Sequence, residues 1–155
     1  YTSLYTMIYL SQRDPKWAGN RLGGSILTLG RFGCTTVCIS MLSDYFGSYM
    51  SPAEIAADKK RYNKAGLVLW QNMTFKNMAF KVRTYGRDDK AIQAALKDPN
   101  MGVALQVNNG AHWILALRKT IIGNDYVCLD PWDGAKCNAI GKYHNITGAA
   151  YFVRK

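Results

Sequence analysis

The stretch Arg31-Phe32-Gly33-Cys34-Thr35-Thr36-Val37-Cys38 decides how the rest of the chain is read. From Gly33 onward Val37, Cys38, Met41, Leu42 and Tyr45 recur at three- and four-residue intervals, until Gly47 ends the run. That spacing predicts a central helix with an apolar stripe, and Cys34 falls in its first turn. N–H groups in a first turn have no acceptor within the helix, and the helix dipole adds positive potential there. A thiolate is favoured at such a place, and the Cys34 amide can donate to a developing oxyanion. Gly33 is expected to permit close approach of a substrate backbone or an unusual turn. The competing reading of Cys34 is a buried, inert thiol; Cys38, one turn further in, suits that reading better.

Downstream, the pattern becomes that of strands. Val103, Leu105 and Val107 alternate, Asn108-Asn109-Gly110 is hairpin chemistry, and His112 to Leu117 is apolar nearly throughout. Tyr126 to Leu129 follows the turn Gly123-Asn124, and Ala150 to Val153 makes a closing strand. On a period of two, His112 shares a face with Ile114 and Ala116, and Trp113 with Leu115. Asp130 ends its strand just before Pro131. A carboxylate there would accept a hydrogen bond from the imidazole and fix its tautomer. The chain has two histidines. His144, within Lys142-Tyr143-His144-Asn145, reads as surface, which leaves His112 as the general base for Cys34. Whether Cys128, two residues before Asp130, touches such a site or packs beneath it stays open.

Between these motifs, Gln12 to Leu29 reads as a folded loop, punctuated by Asp14-Pro15 and Gly23-Gly24. Ser51-Pro52-Ala53-Glu54 is a capping box with proline at the first helical position, predicting a helix to about Tyr62. A short helix is expected over Leu69 to Ala79. Another is capped by Asp88 or Asp89, carries Ile92 and Leu96 on one face and ends near Asp98-Pro99. Helices first and an antiparallel sheet second make an α+β plan.

The chain has 155 residues, enough for one domain over 1–155 with a core that needs no disulfides. Its four cysteines are expected to stay reduced: Cys34 and Cys38 point alike on one helix, a poor geometry for a bridge, and their three-residue gap is not the two-residue redox motif. Cys128 and Cys137 fall outside zinc-knuckle spacing, so neither metal nor cofactor is expected. The net charge of +10 favours polyanions such as nucleic acid, anionic lipid or cell-wall phosphates. No nucleic-acid-binding motif accompanies it, so nucleic acid is not the expected partner. No apolar run reaches the roughly eighteen residues of a membrane span. Tyr1 to Leu10 lacks the flank and cleavage site of a signal peptide, and a chain starting at Tyr1 is expected to be a processed product or an excised domain.

Taken in order, Gln12-x-Asp14-Pro15-x-Trp17, Gly33-Cys34-Thr35-Thr36, Ala111-His112-Trp113 and Asp130-Pro131-Trp132 resemble the papain-like cysteine peptidases related to bacteriocin-processing peptidases. The resemblance spans about Gln12 to Trp132. It implies a papain-like fold, with N-terminal helices and a central nucleophile helix packed on a C-terminal antiparallel sheet. It also implies Cys34 as nucleophile, His112 as general base and acid, Asp130 as the group orienting His112, and Gln12 as an oxyanion donor. Without it, Gln12 would read only as an exposed polar residue before a turn. The implied activity is hydrolysis of peptide bonds through an acyl-enzyme. The substrate would be peptidoglycan peptide on an anionic wall, and the enzyme a monomer of a bacterial or phage-delivered lysin acting at the cell wall. Leader-processing, effector and amidase-type hydrolases share the implied site, and an inactive basic binding module shares the scaffold. Ser48 to Arg87, bearing Trp70, Met73, Phe75 and Phe80, is expected to shape the substrate groove.

Overall fold

Strands form in this chain where the sequence alternates or runs apolar on both faces. A computed structural model describes residues 7–155; residues 1–6, which begin the stretch read for a signal peptide, lie outside it. The strands are β1 (Met78–Tyr85), β2 (Met101–Val107), β3 (His112–Lys119), β4 (Tyr126–Asp130), β5 (Ala135–Asn138) and β6 (Ile146–Arg154). They make one antiparallel sheet in the order β1-β6-β2-β3-β4-β5. The helices are α1 (Leu29–Phe32), α2 (Cys34–Tyr45), α3 (Pro52–Ala57), α4 (Asp89–Lys97) and α5 (Ala139–Tyr143).

The sheet separates two cores. On one face Val37, Cys38, Met41 and Leu42 of α2 pack among Ala104, Trp113, Leu115 and Phe152. On the other, Ile92, Ala95 and Leu96 of α4 pack among Val103, Leu105, Ile114 and Ala116. Burial on both faces explains why β3 is apolar nearly throughout instead of alternating. Each fully buried aliphatic side chain contributes about 1.5–3 kcal/mol of transfer free energy, so α2 is anchored firmly enough to fix the position of its first residue.

The α+β plan holds, with corrections to its details. β1 precedes α4, so the order is not simply helices and then sheet, and α4 covers the sheet face opposite to α2. The capping box at Ser51 and Glu54 is complete, but α3 stops at Ala57 instead of near Tyr62. Asp58 ends it by accepting the Lys60 amide at 3.1 Å and the Arg61 guanidinium at 3.2 Å, which starts a short 3-10 turn over Lys59–Arg61. The helix expected over Leu69 to Ala79 is only a 3-10 turn at Trp70–Asn72, and β1 begins within its range. Met73, Phe75 and Met78 are all buried there, in a reversal closed by the Phe75 amide on the Met78 carbonyl at 2.7 Å. Asp88, not Asp89, caps α4, accepting the Ala91 amide at 3.1 Å. Between β2 and β3 the Asn108-Asn109-Gly110 turn uses three successive positive φ values (55°, 55° and 89°), for which asparagine and glycine are suited.

Candidate active site

Cys34 is placed by a tight junction between two helices. α1 ends when the Gly33 amide donates to the Leu29 carbonyl at 2.8 Å, and α2 begins as the Val37 amide donates to the Gly33 carbonyl at 3.0 Å. A Cβ on Gly33 would lie 2.4 Å from the Leu29 carbonyl oxygen and 2.8 Å from its Cγ. Glycine therefore serves a close approach, but of the chain's own Leu29 and not of a substrate backbone, and its φ of −89° is not an unusual one. Cys34 occupies the first position of α2 and is half-buried, while Cys38 is fully buried in the core.

His112 and Asp130 come from adjacent antiparallel strands. Leu115 pairs with Leu129, which puts the start of β3 diagonally across from the end of β4. The His112 Nε2 atom lies 2.8 Å from Asp130 Oδ1. This leaves Nδ1 as the nitrogen free to serve the Cys34 side chain, which shares the cleft with the ring and lies near enough to raise its pKa. Asp130 is 0% exposed, yet every face of its carboxylate is met. The Trp132 amide donates to Oδ1 at 2.9 Å, Lys142 Nζ donates to Oδ2 at 2.6 Å, and the Tyr143 hydroxyl donates to Oδ2 as well. The Tyr143 ring also rests against the His112 ring, with centroids 5.1 Å apart.

These contacts set the charges. Burial disfavours ionisation of Asp130, but the hydrogen bonds from His112, Lys142, Tyr143 and the Trp132 amide outweigh it and hold the carboxyl well below its usual range. Burial likewise disfavours a charged His112. The hydrogen bonds to Asp130 and Cys34 and the attraction of both groups prevail, raising the ring to about 9. The arrangement favours an imidazolium poised between sulfur and carboxylate.

Gln12 is pinned from several sides. Its backbone amide donates to the Pro131 carbonyl at 2.7 Å and its Nε2 to the Gly30 carbonyl at 3.1 Å. Beside it Arg13 Nε and Ser11 Oγ both reach the Trp132 carbonyl, at 2.8 and 3.1 Å, and the Arg13 guanidinium lies over the Trp132 ring. At 1% exposure Gln12 is not the exposed residue that composition alone implies. An amide nitrogen carries two N–H groups, and Gly30 takes one.

Gln12, Cys34, His112 and Tyr143 line a single cleft of about 360 Å³, with Arg31 and Trp132 at its walls. Asp130 stands behind His112. All four cysteines are free among the described residues. Cys128 belongs to the second core, its thiol directed to the Tyr126 carbonyl at 3.5 Å, so it packs beneath the site without entering the cleft. His144 is exposed, in a left-handed conformation at the end of α5. Sequence reasoning missed Lys142 and Tyr143; the signal was their place just upstream of His144, in a turn dismissed as surface. No model of a known family and no curated protein sequence matches the chain.

Proposed function

We propose that this chain is a cysteine peptidase of papain-like type, acting on peptide bonds by acyl transfer. The observation that carries the reading is that Cys34 and His112 share one cleft with Gln12, while His112 is hydrogen-bonded to the buried Asp130 behind it. A sulfur at a helix start, an imidazole held in one orientation and a buried carboxylate are what thiolate acyl transfer requires.

In this mechanism the Cys34 sulfur attacks the carbonyl carbon of the scissile amide. Charge develops on the carbonyl oxygen, which the Cys34 amide and the Gln12 side chain stabilise. The His112 imidazolium gives its Nδ1 proton to the leaving amine, the C–N bond breaks, and a thioester remains on Cys34. His112, now neutral, takes a proton from water as it attacks the thioester. The second tetrahedral intermediate collapses to a free acid and the Cys34–His112 pair. Asp130 keeps Nε2 protonated throughout and balances the imidazolium.

The basic chain suits an anionic wall, and peptidoglycan stem or crossbridge peptides are the proposed targets. Purified protein incubated with isolated walls is expected to release fragments bearing new amino termini, and Cys34→Ala to release none. Fragments cut between sugar and peptide would instead make it an amidase. Wall binding without cleavage by the parent protein would reduce it to a binding module.

A further inference from the structure

The cleft does not end at Cys34. Phe32, which lines it, also lines a second groove of about 300 Å³, together with Thr35, Leu67, Trp70 and Trp113. Its outer wall is Arg83 on β1, the edge strand of the sheet. The Arg83 guanidinium lies 3.9 Å from the Tyr85 ring centroid and 5.1 Å from that of Trp113. It donates to the Thr84 carbonyl at 2.6 Å and to Gln106 Oε1 at 2.9 Å. Both acceptors are neutral, and no carboxylate pairs with Arg83 among the described residues. A guanidinium has five N–H donors, so this fixed, uncompensated cation keeps donors to spare.

Cleft and groove together contain no Asp or Glu in their linings, whereas Arg31, His112 and Arg83 all contribute to them. Asp130, behind His112, is already matched by His112 and Lys142. A cleft and a groove that share Phe32, with aromatic side chains in both linings and only basic charges, fit one class of occupant.

We propose that Arg83 makes this groove selective for acidic peptides, binding a substrate carboxylate a few residues from the scissile bond while apolar substrate surface rests on Trp70, Trp113 and Leu67. The proposal rests on the peptidase reading for its position relative to a scissile bond, but the charge selectivity of the groove stands on Arg83 alone. Bidentate pairing of guanidinium with carboxylate, stacked on aromatic rings, is the geometry arginine supplies and lysine does not.

The test is cleavage of a proteome-derived peptide library, native and with its carboxylates converted to amides, read by mass spectrometry of the new termini. The parent protein is expected to cut with Asp or Glu enriched at one fixed position and to lose that enrichment on the amidated library. Arg83→Gln should lower the acid-to-amide ratio of kcat/KM about ten- to a hundredfold, the value of hydrogen bonds to a charged group. Arg83→Glu should invert the preference towards Lys and Arg. Arg83 sits half-exposed on an edge strand, so both variants should fold; circular dichroism checks this. Lys97→Gln changes net charge equally on exposed α4 and should leave the ratio unchanged. Absence of acidic enrichment in the parent, or its persistence in Arg83→Gln, overturns the proposal. If the parent cuts nothing, the peptidase reading fails. Immobilised parent protein then decides the groove alone: acidic peptides retained by it and by Lys97→Gln, but not by Arg83→Gln, support selectivity, and equal retention by all three overturns it.

Discussion

The carboxylate of Asp130 is buried at 0% exposure and lies 2.8 Å from the Nε2 atom of His112, whose own side chain is only 12% exposed. A buried anion is costly unless its lone pairs are met, and here four donors meet them. The same contacts make Asp130 structural support for the sheet end and an orienting group for the imidazole. Asp130→Asn keeps the shape but removes the charge, leaving Lys142 and His112 facing an amide. It should lower unfolding free energy by about 3–5 kcal/mol, as when one partner of a buried pair is removed. Turnover should fall by roughly three to four orders of magnitude through loss of the correct tautomer. Urea unfolding measures the first and single-turnover kinetics the second. A variant as stable and as active as the parent would dissolve the role of this pair.

Stability should follow pH with two limbs of opposite sign. His112 has its folded value raised to about 9 from an ordinary 6.5, so its contribution is complete below 6.5 and is lost as pH rises through about 9. Asp130 has its folded value depressed from 3.8, so its contribution is present above 3.8 and is lost on acidification towards that depressed value. Thermal melts should therefore peak in mildly acidic solution and decline on the alkaline side. His112→Gln should flatten the alkaline limb. An unchanged alkaline slope in that variant would place the titration elsewhere.

Local chemistry was the readable part of this chain. The start of α2 at Cys34, the Ser51 capping box and the Asn108-Asn109-Gly110 turn are each set by a few contiguous residues, and each forms where expected. Cys34, His112 and Asp130 were readable for the same reason, since they stand at element ends that sequence pattern locates, whereas Gln12, in a loop, comes only from the resemblance. Segments governed by distant partners were not. A short helix is the expectation over Leu69 to Ala79, but Met73, Phe75 and Met78 are buried there by a reversal whose Trp70 stacks on Phe80 at 5.4 Å, an arrangement only the finished sheet can favour. The stripe of α4 announces an amphipathic helix without saying which sheet face it will cover. Lys142 and Tyr143 join Asp130 across twelve and thirteen residues, from the end of the short helix α5, whose sequence resembles any exposed turn.

The four thiols should separate cleanly under alkylation. Cys38 and Cys128 are fully buried, and burial pushes both thiols well up. Cys137 is half-buried, and burial, with Asp130 nearby, pushes it up to about 12. Of the four, Cys34 alone lines the cleft, which it shares with His112. Iodoacetamide at neutral pH should label position 34 first, as peptide mapping would show, and His112→Ala should slow that labelling. Faster modification of Cys137 would count against an activated Cys34.

Gln12 tests the oxyanion assignment separately from the thiol. Its backbone is tied to Pro131 and its side chain to Gly30, so Gln12→Ala removes one donor while the loop retains its main-chain anchor. Loss of an oxyanion donor costs about 3 kcal/mol of barrier, or roughly a hundred- to a thousandfold in kcat. Because the interaction strengthens only as charge develops, KM should change little, and alkylation of Cys34 should proceed at the parent rate. A loss confined to KM would make Gln12 a substrate contact, and a slowed alkylation would mean that the substitution had disturbed Cys34 itself.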